Sequence, residues 1–281
     1  MAGLVRATLN YVVRSNEPLY NYYHVEPPLG RTASNEVMDS HEVAISDMRD
    51  LVKAPTLEAQ GIELVSFTTS VEDIYDPAEL DAVYLPEVAE WVRRHTEAAE
   101  VRAFFPFLRG EEAQRRMPGS ITAPALTVHV DYTHDTGASW FDKILGVGAD
   151  RFRGRRFAII NVWRPITGPL RDHPLAVCDA STVAPGDLLA SMTVSRVDAS
   201  GIHSADGEIK ETEIYSVAFN PVHKWYYASD MRKDEVLLLK NYDSALHGVS
   251  RFTPHSAFAD PTTPENACPR ASIEVRTLVI W

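Results

Sequence analysis

From about Ala125 onward the chain falls into short runs rich in β-branched and aromatic residues, divided by Gly, Pro and Asp: ALTVHVDYT, RFAIINVW, LAVCD, DLLASMTV, EIYSVAF, KWYYAS, EVLLLKNY and SIEVRTLVIW. Many strands at this spacing predict an antiparallel sandwich or barrel. The segment GASWFDKILG is the one helix expected among them, and the proline-bearing stretches 165–185 and 254–269 read as loops. Upstream, ATLNYVV and IELVSF read as short extended pieces. A helix is expected to start at Asp76-Pro77-Ala78-Glu79, with Asp76 as cap, Pro77 in the first turn and Glu79 completing a capping box. Leu80, Val83, Tyr84, Val88, Trp91, Val92 and His95 then recur at helical spacing, with a kink expected at Pro86. The predicted fold is mainly β with α: a double-stranded β-helix (jelly roll) core over residues 125–281 under a helical N-terminal cover over 1–124. With no repeat or low-complexity linker, one domain over 1–281 is the simpler organisation.

Composition narrows the partners more than the fold. Apolar residues make up 45% and charged residues 23% of 281, an ordinary globular balance. A formal charge of −12, with 27 Lys and Arg scattered along the chain, opposes broad attraction to phosphate backbones or anionic lipid. Nucleic acid and membrane are therefore not expected partners, and no run approaches the roughly 20 apolar residues of a spanning helix. Two cysteines, Cys178 and Cys268, cannot form a disulfide framework, which fits a cytoplasmic setting. A homo-oligomer is neither indicated nor excluded.

Candidate chemistry begins in ALTVHVDYT. A period of two sends Leu126, Val128 and Val130 to one face, and Thr127, His129 and Asp131 to the other. An imidazole and a carboxylate side by side, joined by another histidine, make the facial triad that suits iron(II), because three coordination positions stay free for a co-substrate and oxygen. His255, in RFTPHSAF, is the preferred third ligand because it lies between EVLLLKNY and the final strand SIEVRTLVIW. That final region carries Arg270 and Ser272 as an Arg-x-Ser pair, and arginine's planar fork matches a carboxylate of a bound co-substrate bidentately. Arg276 shares the alternating face and is the rival anchor. In NVWRP, Asn161 is a candidate contact to a bound carboxylate, Trp163 a candidate pocket wall, and Arg164 an expected ion-pair partner. Tyr132 and Thr133 are further pocket candidates. His134, His223 and His247 are expected near strand ends or in solvent, and His24, His41, His95, His173 and His203 are expected to be structural or exposed.

Taken together, several ordered blocks resemble the AsaB-like hydroxylase/desaturase family of Fe(II)/2-oxoglutarate-dependent oxygenases, which includes relatives of CmcJ and a gibberellin desaturase. The blocks are PTLEAQGIELV at 55–65, HVDYT at 129–133, NVWRP at 161–165, HPLAVCD at 173–179, the run 223–244, HSAFADPTTP from 255 and PRASIEVR at 269–276. The resemblance implies a double-stranded β-helix, iron bound by His129, Asp131 and His255, and 2-oxoglutarate and O2 as co-substrates. It implies oxidation of a C–H bond of a small secondary metabolite or its precursor (hydroxylation, desaturation or oxidative cyclisation), with succinate and CO2 formed. Residues 1–124 and the loops after Thr133 and Leu170 are expected to shape the substrate pocket. Two alternatives remain open at the level of sequence: a metal-dependent hydrolase, and a non-catalytic cupin-like binding protein.

Overall fold

A computed structural model describes residues 3–23, 25–117, 123–197 and 207–281. The protein is mostly β with few helices, α1 (Pro77–Glu79), α2 (Leu85–His95), α3 (Glu111–Arg116) and α4 (His134–Leu145) among the described residues. A nine-stranded sheet runs in the order β1 (Leu4–Val12), β3 (Met38–Asp47), β11 (Trp225–Tyr227), β8 (Leu175–Cys178), β13 (His255–Ala257), β6 (His129–Val130), β10 (Glu208–Val217), β9 (Leu188–Val197), β2 (Leu19–Tyr23). A five-stranded sheet runs β4 (Ile62–Ser66), β12 (Glu235–Asp243), β7 (Phe157–Pro165), β14 (Ser272–Ile280), β5 (Glu100–Arg109). From β5 to β8 the chain alternates between the sheets. The β9–β10 hairpin and β11 then stay in the larger one, and alternation resumes from β11 to β14.

The facing surfaces of the two sheets hold Ile62, Trp163, Leu237 and Leu239 against Leu175 and Val177. On its other face, the smaller sheet packs Val162, Leu238, Ile273 and Val275 against Val88 and Val92 of α2 (Leu85–His95). These helix side chains are fully buried, which stabilises each by about 1.5–3 kcal/mol relative to exposure. The larger sheet folds back on itself: Asn10 of β1 bridges to Thr127, just ahead of β6, enclosing Tyr11, Val128, Cys178 and Trp225.

Several expectations change. The first 124 residues supply five strands among the described residues, so the N-terminal cover is not a helical one. β3 escaped notice because its outward face is wet and only Ile45 and Asp47 of its ten residues are buried. Asp76 does cap, accepting from the Ala78 N–H, but Glu79 turns to the Glu72 and Asp73 amides instead of completing a box. The expected kink at Pro86 becomes a π-helical widening at Leu80–Tyr84 ahead of α2, whose first turn carries the proline and loses no interior hydrogen bond. The supposed loop 254–269 contains β13, whereas the LAVCD run expected as a strand within 165–185 is β8. The expected strand through Thr133 stops at Val130, because Thr133 and Thr136 form a capping box for α4 (His134–Leu145).

α4 fills one end of the space between the sheets, placing Phe141 among Tyr132, Ile159, Tyr242 and Leu278. Its Gly137 lies against Tyr242, where an added Cβ would meet ring atom Cδ2 at 2.3 Å. Helix propensity alone makes Gly→Ala favourable by about 1 kcal/mol. The ring reverses that sign: Gly137→Ala is expected to destabilise the fold by about 1–3 kcal/mol in urea unfolding, and a stabilised variant would show that Tyr242 yields.

Candidate metal centre

The register of the larger sheet lines up one row of side chains. His129 stands opposite His255 and Ser216, and His255 opposite Val177, so all four project from the same face. That face looks toward the smaller sheet. Each imidazole is oriented by a backbone carbonyl two residues earlier: His129 Nδ1 lies 2.7 Å from the Thr127 oxygen, and His255 Nδ1 3.1 Å from the Thr253 oxygen. With Nδ1–H donating there, each Nε2 is left as a lone-pair donor. The two Nε2 atoms lie 3.6 and 3.9 Å from Asp131 Oδ1. The three ligand atoms fall within 4.8 Å of one another, and among the described residues this is the group of three or more His, Cys, Asp or Glu able to hold a metal ion.

Asp131 follows β6 and is reached from the opposite sheet. Asn161 Nδ2 donates to its Oδ2 at 2.7 Å, Arg276 Nη2 lies 3.4 Å from the same oxygen, and its backbone N–H donates to Asn241 Oδ1 at 3.1 Å. Burial opposes ionisation, but the charge of Arg276 and the Asn161 hydrogen bond work against it, and the carboxylate is held below its ordinary range. Burial, then the charge of His255, pushes His129 down to about 4, and burial lowers His255 as well. At neutral pH the site therefore offers two neutral imidazoles and one carboxylate, the donor set that suits a divalent transition metal.

A cavity beside the triad is lined by Trp163, Leu175, Arg109, Arg270, Glu274 and Arg276. Arg270 is 6% exposed and makes no ion pair among the described residues. Its Nη1 donates to the His173 carbonyl at 2.7 Å, its Nε to Ser272 Oγ at 3.3 Å, and its guanidinium sits 5.1 Å from the Trp163 ring centre. Burial, then the charge of Arg109, lowers it to about 9. Arg276 is already committed to Asp131 and lies over the rings of Phe107 and Tyr132.

Among the other sequence candidates, Tyr132 is buried beneath Arg276, and the Thr133 hydroxyl is spent on the α4 cap. His134 contacts Arg251 and is not grouped with the triad. Arg164 makes no ion pair among the described residues and stacks between Tyr84 and Phe67 on the outer face of the smaller sheet, correcting the expected salt bridge. His24 and His203 lie outside the described residues.

A family model described as an oxidoreductase/YMDC permease-like domain matches residues 9–280. The Fe(II)/2-oxoglutarate-dependent dioxygenase nvfI of Aspergillus novofumigatus is 36% identical over 264 residues, which cover 92% of this chain and 90% of that one. The chain belongs to the AsaB-like hydroxylase/desaturase family. Another relative, the hydroxylase/desaturase efuI of Hormonema carpetanum, is 33% identical over 254 residues, covering 86% and 84% of the two chains. A solved structure of the iron and alpha-ketoglutarate-dependent endoperoxidase NvfI superposes with a TM-score of 0.84 at 33% identity, covering 99% of this chain and 98% of that one.

Within this family member, sequence reasoning missed Asn241, Arg109 and Glu274. Asn241 sits at the register shift between Lys240 and Tyr242, where one extra residue re-aims the strand, and a polar residue inside the apolar run EVLLLKNY was the available signal. Replacing Asn161 with Leu removes one brace from Asp131 and is expected to weaken iron(II) binding roughly ten- to hundredfold, with iron stoichiometry recovered at high metal. His129→Ala and His255→Ala should instead lose the stoichiometric site in equilibrium dialysis. An unchanged iron affinity in a folded Asn161→Leu protein would remove the brace from the account.

Proposed function

We propose that this chain is an iron(II)- and 2-oxoglutarate-dependent oxygenase that uses O2 to oxidise a C–H bond of a small secondary metabolite or its precursor. The observation that carries this reading is the pairing of a two-histidine, one-carboxylate triad with a buried, unpaired guanidinium, Arg270, in one cavity. The metal relatives bind, according to their names, matches that donor set. Strand alternation from β5 to β14 between two facing sheets supports a double-stranded β-helix, and the cores shared between early and late strands support a single domain over 1–281. Cys178 and Cys268 are both free thiols, in keeping with an intracellular setting. A small molecule is the expected substrate.

In this reading His129, Asp131 and His255 hold iron(II) on one face. Iron bound there would supply the oxygen-activating chemistry that couples conversion of 2-oxoglutarate to succinate and CO2 with substrate oxidation. Asn161 and Arg276 keep Asp131 ionised and correctly turned, so neither is free to take the co-substrate's far carboxylate. Arg270 is free: Ser272 and the His173 carbonyl fix its plane, Trp163 walls it, and a bound carboxylate would complete its hydrogen bonding. The protein's remaining task is to position one C–H bond and keep water away.

Purified, iron-loaded protein is expected to form succinate from 2-oxoglutarate in an O2-dependent manner when a suitable substrate is supplied. Arg270→Leu should raise the apparent 2-oxoglutarate requirement roughly tenfold or more with iron binding intact. Arg276→Leu should weaken iron binding first. The reverse ranking would reassign the anchor, and iron-loaded protein that fails to bind 2-oxoglutarate would overturn the reading.

A further inference from the structure

The cavity holds a second guanidinium on the same wall. Arg109 ends β5 directly opposite Ser272 in the register of β5 with β14, so both side chains leave the smaller sheet on one face. Arg270 reaches the same serine through Nε. One serine is thereby flanked by two arginines, and both line the cavity that the triad opens into.

Each arginine is held from a different side. Arg109 Nη1 donates to the Ala123 carbonyl at 2.5 Å, in the segment leading to β6, while Arg270 Nη1 donates to the His173 carbonyl in the segment leading to β8. β6 and β8 flank β13 in the sheet, and Ser256 and Ala257 of β13 line the same cavity as the two arginines. Among the described residues neither arginine forms an ion pair with a carboxylate. Glu274, which lines the same cavity, makes no ion pair either; burial followed by the charge of Asp131 raises its pKa against the opposing charges of Arg276 and Arg109.

Two like charges facing one partly dry cavity repel each other unless an anion lies between them. The charge of Arg109 is the largest charge effect on Arg270, which places the two groups within direct electrostatic reach. A carboxylate has two oxygens and accepts from two forks at once, so it satisfies both cations and the Ser272 hydroxyl together. We propose that Arg109 and Arg270, with Ser272 between them, form a two-guanidinium receptor for the far carboxylate of 2-oxoglutarate. This rests on the functional reading above and adds a binding residue to it.

The test separates the two ends of the co-substrate by comparing 2-oxoglutarate with pyruvate, which keeps the 2-oxo acid but lacks the far carboxylate. Iron(II)-loaded wild type, Arg109→Leu, Arg109→Lys and Arg270→Leu are titrated anaerobically with each acid, following the visible absorbance that chelation of iron produces. Arg109→Leu is expected to weaken 2-oxoglutarate binding roughly ten- to hundredfold, with pyruvate affinity and iron stoichiometry unchanged, and Arg109→Lys to recover part of the loss. Unchanged pyruvate binding and iron stoichiometry also verify that the variant is folded. Unaltered 2-oxoglutarate affinity in Arg109→Leu, or equal weakening of both acids, overturns the receptor while leaving the functional reading standing. Wild-type protein that binds neither acid overturns both.

Discussion

One carboxylate ties the two sheets together at the point where the chemistry is proposed. Asp131 leaves the larger sheet just after β6; Asn161 and Arg276 meet its carboxylate and Asn241 accepts from its backbone N–H, from three strands of the smaller sheet. A buried carboxylate is costly unless it is hydrogen-bonded and paired, and this one is both. The same contacts that make it tolerable also aim its other oxygen at His129 and His255. Loosening the sheets relative to each other would separate the ligand from its braces, so packing between the sheets and geometry of the triad are one constraint.

That constraint divides the three arginines of the cavity by role. Arg276 compensates Asp131, whereas Arg270 and Arg109 face the cavity without carboxylate partners of their own among the described residues. Sequence alternation put Arg270 and Arg276 on one face but had no means of separating them. The distinction lies in what each meets across the space between the sheets, and a one-dimensional pattern does not carry it.

The legible parts of the chain were those with local signals. The period of two placed His129 and Asp131 side by side, and the β-rich texture after Ala125 announced most of the strands. His255 was reachable only through its place before the arginine-bearing last strand and through the family blocks, since its own strand is three residues long. The Thr133 cap was legible in principle, because a threonine followed three residues later by another hydrogen-bonding side chain is a helix start, yet a strand was extended through it. Arg109 was not legible: its meaning comes from pairing with Ser272, more than 160 residues later, and register at that separation leaves no trace in composition or spacing. The N-terminal cover was misread for a related reason. β3 takes its partners from β1 and from β11, far along the chain, and its wet outer face hides the alternation.

The central claim is that iron(II) sits among His129, Asp131 and His255. Its most direct test is a crystal of the protein prepared anaerobically with iron(II) and 2-oxoglutarate, with diffraction measured on both sides of the iron absorption edge. The account predicts one strong anomalous difference peak bounded by the two Nε2 atoms and the Asp131 carboxylate. A fully loaded crystal with its peak elsewhere, or with none at the triad, would contradict it.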